Sequence, residues 1–91
     1  MALFKVNPAT VVLDVVARAP FEVYYEGPAK VISAANRIGQ FDILPGHADF
    51  FSILIPCEVI IDVPGKDPVK FTITTGMMTV RDDKVMLFAN M

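Results

Sequence analysis

Gly39-Gln40-Phe41-Asp42-Ile43-Leu44-Pro45-Gly46-His47, in the middle of the chain, reads as a short buried strand that runs into a tight turn. Pro45 sets φ near about −65° at the second turn position, and Gly46 supplies the positive φ that a type II turn needs at the third. Val63-Pro64-Gly65-Lys66 repeats the same turn chemistry further along. Around these two turns β-branched and aromatic residues dominate, and turn signals recur about every ten residues, the spacing of an all-β sandwich or barrel.

Working outward from that segment, the strands expected upstream are residues 11–18, 21–26 and 29–34, divided by Ala19-Pro20 and Gly27-Pro28. In the second of them Phe21, Val23 and Tyr25 share a face opposite Glu22 and Glu26. Residues 35–39 read as a loop before a strand at 41–44. Downstream, strands at 50–55 and 58–63 flank Pro56, and 69–75 alternates through Val69, Phe71 and Ile73. Met77 to Arg81 follows Gly76, and Asp82-Asp83 closes a hairpin into residues 84–89. Phe50 to Leu54 also carries apolar residues at helical spacing after Asp49, a capping residue type, and admits a single helical turn. The expectation is one domain spanning residues 1–91, all-β, with about nine strands and no repeat, linker or low-complexity segment.

Hydrophobic residues make up 54% of the 91 residues and charged residues only 20%, an apolar balance for so small a domain. Uninterrupted apolar runs are short, as in Val59-Ile60-Ile61, well below the roughly 20 residues of a transmembrane helix. No basic start leads into an apolar stretch and a cleavage site, so no signal peptide is expected. The surplus apolar surface is therefore assigned to a face that a partner covers. A net charge of −2 with scattered lysines and arginines gives no electrostatic case for nucleic acid or an anionic membrane. Cys57 is the only cysteine, so an internal disulfide is excluded and a reducing compartment is favoured. It reads as a small hydrophobe near the start of a strand.

Catalytic chemistry is scarce. His47 is the only histidine and Ser33 and Ser52 are the only serines, with no nucleophile-elbow motif around either. A Cys57–His47 pair lacks any flanking signature. Asp42, His47 and Asp49 offer metal-ligand atoms but fall short of the four ligands, usually including cysteines, of a structural zinc site. No glycine-rich loop precedes a helix, so no phosphate cradle and no cofactor are expected. Phe50, Phe51, Phe71, Tyr24 and Tyr25, without a basic groove beside them, read as core or protein interface. In Met77-Met78, and in Phe50-Phe51 if extended, one side chain faces inward and its neighbour outward, where it becomes a contact residue.

With its order of residues, the segment from Gly39 to Ala48 resembles the Pro-Gly-His-Ala element of the epsilon subunit of F-type ATP synthases, called delta in mitochondria. Tyr25-Glu26-Gly27 is similar to that family's aromatic-x-Gly before the third strand, and Thr74-Thr75-Gly76-Met77-Met78-Thr79-Val80 to its Ser-Gly-Gly stretch. Residues 85–89 resemble its last sandwich strand, so the likeness covers residues 11–90. The resemblance implies a flattened β-sandwich of about ten strands that does no chemistry and holds no cofactor or metal. It implies a rotor-stalk subunit that couples the gamma subunit to the c-ring during ATP synthesis. That role places it peripherally at the cytoplasmic face of the bacterial inner membrane, driven by protons or sodium. The family's two C-terminal helices would begin where this chain stops, at Met91, so the sandwich alone is expected. Carried over by position, Asn36, Arg37, Ile38, Gly39 and Gln40 fall at the c-ring contact. His47, Asp49, Phe50, Met77 and Met78 fall toward gamma, and Pro45 and Gly46 form the structural turn. Gln40 stands where the family has Glu, Asp42 for Gly, Asp49 for Pro and Thr75 for Gly. The alternative is a generic β-sandwich interaction module unrelated to the motor.

Overall fold

Alternating burial along nearly every strand builds two sheets face to face. The computed structural model describes residues 12–90, so Val11, the expected start of the first strand, lies outside the described residues. The strands are β1 (Leu13–Ala19), β2 (Glu22–Ala29), β3 (Val31–Asn36), β4 (Gly39–Ile43), β5 (Phe50–Leu54), β6 (Cys57–Asp62), β7 (Val69–Ile73), β8 (Gly76–Arg81) and β9 (Lys84–Ala89). One sheet has five strands in the order β2-β1-β9-β8-β5, and the other has four in the order β4-β3-β6-β7. All pairings are antiparallel except β1 with β9, which run parallel. The all-β sandwich is as expected.

The core lies between the inner faces. Leu13, Val15 and Ala17 of β1, Ile32 and Ala34 of β3, Val59 and Ile61 of β6, and Ile73 of β7 are buried there. Met78, Val80, Val85, Leu87 and Ala89 join it from β8 and β9, with Ala29, Ile43, Leu54 and Val63. Gly76 is required by this packing. A Cβ there would meet the Phe88 carbonyl oxygen at 3.0 Å and Ile73 Cδ1 at 3.2 Å.

Both Pro-Gly turns form as the sequence predicts. The His47 amide donates to the Leu44 carbonyl at 3.2 Å with Gly46 at φ 85°, and Lys66 donates to Val63 at 3.2 Å with Gly65 at φ 70°. The Asp82-Asp83 hairpin also forms, with both residues left-handed at φ 51° and 62°, as a type I′ turn requires.

One alternative is decided and three expectations are corrected. Phe50–Leu54 is the strand expected at 50–55, and the helical turn admitted there does not form: the segment pairs with β8 from Phe50↔Val80 to Leu54↔Gly76. A single turn would have to meet the nucleation cost of a helix, whereas the ladder satisfies the same backbone groups directly. The loop at 35–39 shrinks to a turn at Arg37-Ile38, because Asn36 Oδ1 accepts the amides of Ile38 at 2.9 Å and Gly39 at 3.3 Å and lets the ladder run to the tip. Gly27-Pro28 does not end a strand but lies inside β2. That strand is at a sheet edge, where the missing proline N–H has no ladder partner to lose. Finally, Phe21, Val23 and Tyr25 do not share a face. A bulge opposite Ala17/Arg18 leaves Tyr24 unpaired and resets the alternation. Tyr24 then stacks on Phe71 of the opposing sheet at 4.3 Å and 6°, while Phe21 in the preceding turn is fully exposed.

Candidate docking surface

The side chains that β5, β8, β9 and β1 turn away from the core include an apolar cluster, Phe51, Ile53, Met77, Met86, Phe88 and Val16, among polar neighbours. Following the ladder across the five-stranded sheet, one outward row reads Ile53, Met77, Phe88, Arg18, Val23. The next reads Phe51, Thr79, Met86, Val16, Glu26. Phe51 is 59% exposed and Ile53 56%. Exposed apolar surface of this kind makes the face a candidate docking surface. At its hairpin end the face turns basic: Arg81 and Lys84 are cross-strand neighbours, with Asp14 beside Lys84.

The outward face of the four-stranded sheet is different. It carries Gln40 and Asp42 from β4, Val31, Ser33 and Ala35 from β3, Glu58, Ile60 and Asp62 from β6, and Lys70 and Thr72 from β7, so that polar residues predominate. Ser33 Oγ donates to Asp42 Oδ1 at 2.7 Å across the β3–β4 pair.

The connection from β4 to β5, residues 44–49, carries the structural turn at Pro45 and Gly46 and then His47, Ala48 and Asp49. The Gly46 amide donates to Asp83 Oδ1 at 2.7 Å, which ties this turn to the β8–β9 hairpin. The exposed His47 ring places Nδ1 2.7 Å from the Ala48 carbonyl oxygen and its edge against the Phe50 ring, with centroids 5.5 Å apart. Phe50 in turn meets Phe41 at 5.3 Å.

These positions separate the expected contact residues into two groups. Asn36, Arg37, Ile38, Gly39 and Gln40 surround the β3–β4 hairpin tip, where Ile38 is 96% exposed. Asn36 anchors that tip, its Nδ2 donating to Ser52 Oγ at 3.0 Å. His47 and Asp49 lie at the other end of β4, about 17 Å away by strand rise. What reads as one motif in the sequence is thus two surfaces, one at each end of a strand. Met78 is withdrawn as a contact residue: it is fully buried, and Met77 beside it is the one that faces outward. Phe50 is half-buried and packs against the core, so Phe51 carries the outward ring. Ile53, Met86, Phe88 and Val16 join this face without a local motif to mark them, since each alternates with a core residue on its strand. Reading the alternation to both faces finds them.

Both serines are engaged within the fold. Ser52 is buried against Asn36, and neither serine is brought to His47. Cys57 is half-buried at the first position of β6, packed on the core edge. Among the described residues, no three His, Cys, Asp or Glu side chains are grouped to hold a metal ion. Nor does any buried side-chain nitrogen or oxygen lack a hydrogen-bond partner. Tyr25 donates its hydroxyl to the Pro28 carbonyl, and burial pushes its phenol above the usual tyrosine range.

The chain matches the family model described as the ATP synthase Delta/Epsilon chain, beta-sandwich domain, over residues 10–91. Among curated relatives, the ATP synthase epsilon chain of Brevibacillus brevis is 34% identical over 70 residues, covering 77% of this chain and 53% of that one. The epsilon chain of Stenotrophomonas maltophilia is 28% identical over 82 residues, covering 90% and 57%. The chain therefore spans a little over half the length of these relatives. Among solved structures, a chain of the Euglena gracilis mitochondrial ATP synthase (OSCP/F1/c-ring) superposes with a TM-score of 0.79 at 18% identity, covering 87% of this chain and 51% of that one. A chain of the Tetrahymena thermophila enzyme's central stalk and c-ring gives 0.75 at 18% identity, covering 85% and 62%. The solved structures share the fold, and the family model covers nearly the whole sequence. On these grounds the chain belongs to the ATP synthase delta/epsilon family, through its β-sandwich domain.

Proposed function

We propose that this chain is a central-stalk subunit of a proton- or sodium-translocating F-type ATP synthase, a non-catalytic adaptor that couples gamma to the c-ring. The observation that carries this reading is the apolar outward face of the five-stranded sheet, built around Phe51, Ile53, Met77 and Met86. A domain whose core is already complete gains nothing in folding from a second apolar face, but an obligate partner gains a large contact area from it. Gamma is the partner assigned to this face, with His47, Asp49 and Phe50 at its margin. The c-ring loops are assigned to the exposed hairpin tip from Asn36 to Gln40. A sandwich closed by short turns is stiff, as torque transmission requires. Residues 1–91 act as a single domain in this reading. No described helix is long and apolar enough to cross a membrane, and the chain sits peripherally, at the cytoplasmic face of the bacterial inner membrane. The relatives' name, ATP synthase epsilon chain, and the stalk and c-ring assemblies of the structural neighbours support it.

The test is co-purification with the gamma subunit and with c-ring-containing membranes of the same organism. Retention of both is expected. A folded chain that retains neither would overturn the reading in favour of a generic interaction module.

A further inference from the structure

Asp83 occupies a position that asparagine or glycine fills more easily. It is the second central residue of the β8–β9 hairpin, left-handed at φ 62°, and it follows another left-handed aspartate at φ 51°. Its side chain has a specific task. In a type II turn the amide of the third residue has no acceptor inside the turn, and in the 44–47 turn that amide is the one on Gly46. Asp83 Oδ1 takes it at 2.7 Å, a charge-assisted bond across 37 residues of sequence. The main chain of Asp83 is held as well, since its carbonyl accepts the Asp14 amide of β1 at 2.8 Å. One residue thus joins β1, the hairpin tip and the connection that carries His47. Asp82, its neighbour, is exposed, whereas Asp83 is half-buried.

We propose that Asp83 is the positioning residue of the 44–49 connection, a carboxylate latch that holds the Pro45-Gly46 turn against the hairpin and so orients His47 and Asp49 beside the apolar face. The link to partner binding rests on the functional reading above; the latch itself does not. The Leu44–His47 hydrogen bond fixes the shape of the turn but not its direction relative to the sheet. The next anchor along the chain is β5 itself, beginning at Phe50. Without Asp83 the turn would pivot as a unit while keeping its internal geometry.

The test compares Asp83→Gly with Asp83→Asn in the full chain. Glycine accepts the left-handed conformation and removes the acceptor, while asparagine accepts it and retains one. Gly46 amide exchange and the His47 ring shifts are followed by NMR, and gamma affinity is titrated in parallel. Asp83→Gly is expected to speed Gly46 exchange about tenfold or more, move the His47 shifts, and weaken gamma binding about fivefold. Asp83→Asn is expected to restore all three to within about twofold of the parent chain. Unchanged Gly46 exchange in Asp83→Gly, or equal effects of the two substitutions, would overturn the latch. Loosened exchange with gamma affinity unaltered would overturn its orienting role. A parent chain that does not bind gamma at all would sink the functional reading, and the Gly46 and His47 measurements would still decide the latch.

Discussion

On the outward face of the five-stranded sheet the rows run Ile53–Met77–Phe88 and Phe51–Thr79–Met86, whereas across the four-stranded sheet they run Asp42–Ser33–Ile60–Lys70. Both sheets give a full set of aliphatic residues to the shared core, so the difference owes nothing to folding. The polar face is what a solvated sheet needs: water satisfies it, and its charges discourage edge and face association. On the other face each exposed apolar side chain leaves favourable burial unrealised, at about 25 cal/mol per Å² of apolar surface. This asymmetry accounts for the 54% hydrophobic content of the chain without invoking a membrane. In the proposed function, the apolar side is the one that a partner covers.

The largest effect sharpens the distinction between inner and outer faces at one pair of neighbours. Met78→Ala should cost about 2–5 kcal/mol in urea unfolding, the range for emptying a sealed core site. Met77→Ala, one residue earlier on the outward face, should cost under about 1 kcal/mol. Equal losses would break the assignment of faces along β8. A smaller effect separates the two ends of β4. Ile38→Asp at the exposed hairpin tip should weaken association with c-ring-containing membranes about tenfold, leaving the unfolding midpoint and the affinity for isolated gamma unchanged. A parallel loss of gamma binding would merge the two surfaces into one. The smallest effect concerns Tyr25, on the inward side of edge strand β2. Its phenol is raised above the ordinary value of 10.0 by burial, so the folded state favours the neutral form. The stabilisation is complete below the unfolded value and is lost as pH rises through the folded one. Thermal melts should therefore show a decline beginning near about pH 10 that is shallower in Tyr25→Phe. Identical alkaline profiles would contradict the shift.

What the sequence discloses of this molecule is mostly what neighbours in the chain decide. The turns at Pro45-Gly46 and Pro64-Gly65 and the Asp82-Asp83 hairpin are fixed by local φ preferences and were legible for that reason. The family resemblance was legible because it rests on the same short motifs. Edge position is a property of the whole sheet, so nothing near Pro28 says that its missing N–H would go unmissed and let β2 continue to Ala29. The bulge that turns Tyr24 onto Phe71 depends on a ring 47 positions away in the other sheet. The site divides in the same way. Met77 against Met78 and Phe50 against Phe51 were visible as inside–outside pairs, but which member faces out needed the register with Gly76 and Thr79. The link from Asp83 to Gly46 carries no local signal of any kind.

The central claim, that gamma docks on the apolar outward face and not on the polar one, is tested most directly by titrating gamma against two double variants, one on each face. Phe51→Asp with Ile53→Lys places charges of both signs on the apolar face, and Glu58→Lys with Thr72→Asp does the same on the polar face. Neither pair touches the core. The first should lose gamma affinity by about 100-fold or more while keeping its cooperative unfolding, as expected for the centre of an interface. The second should stay within about threefold of the parent chain, as expected outside one. Equal losses, or a larger loss from the polar-face pair, would contradict the account.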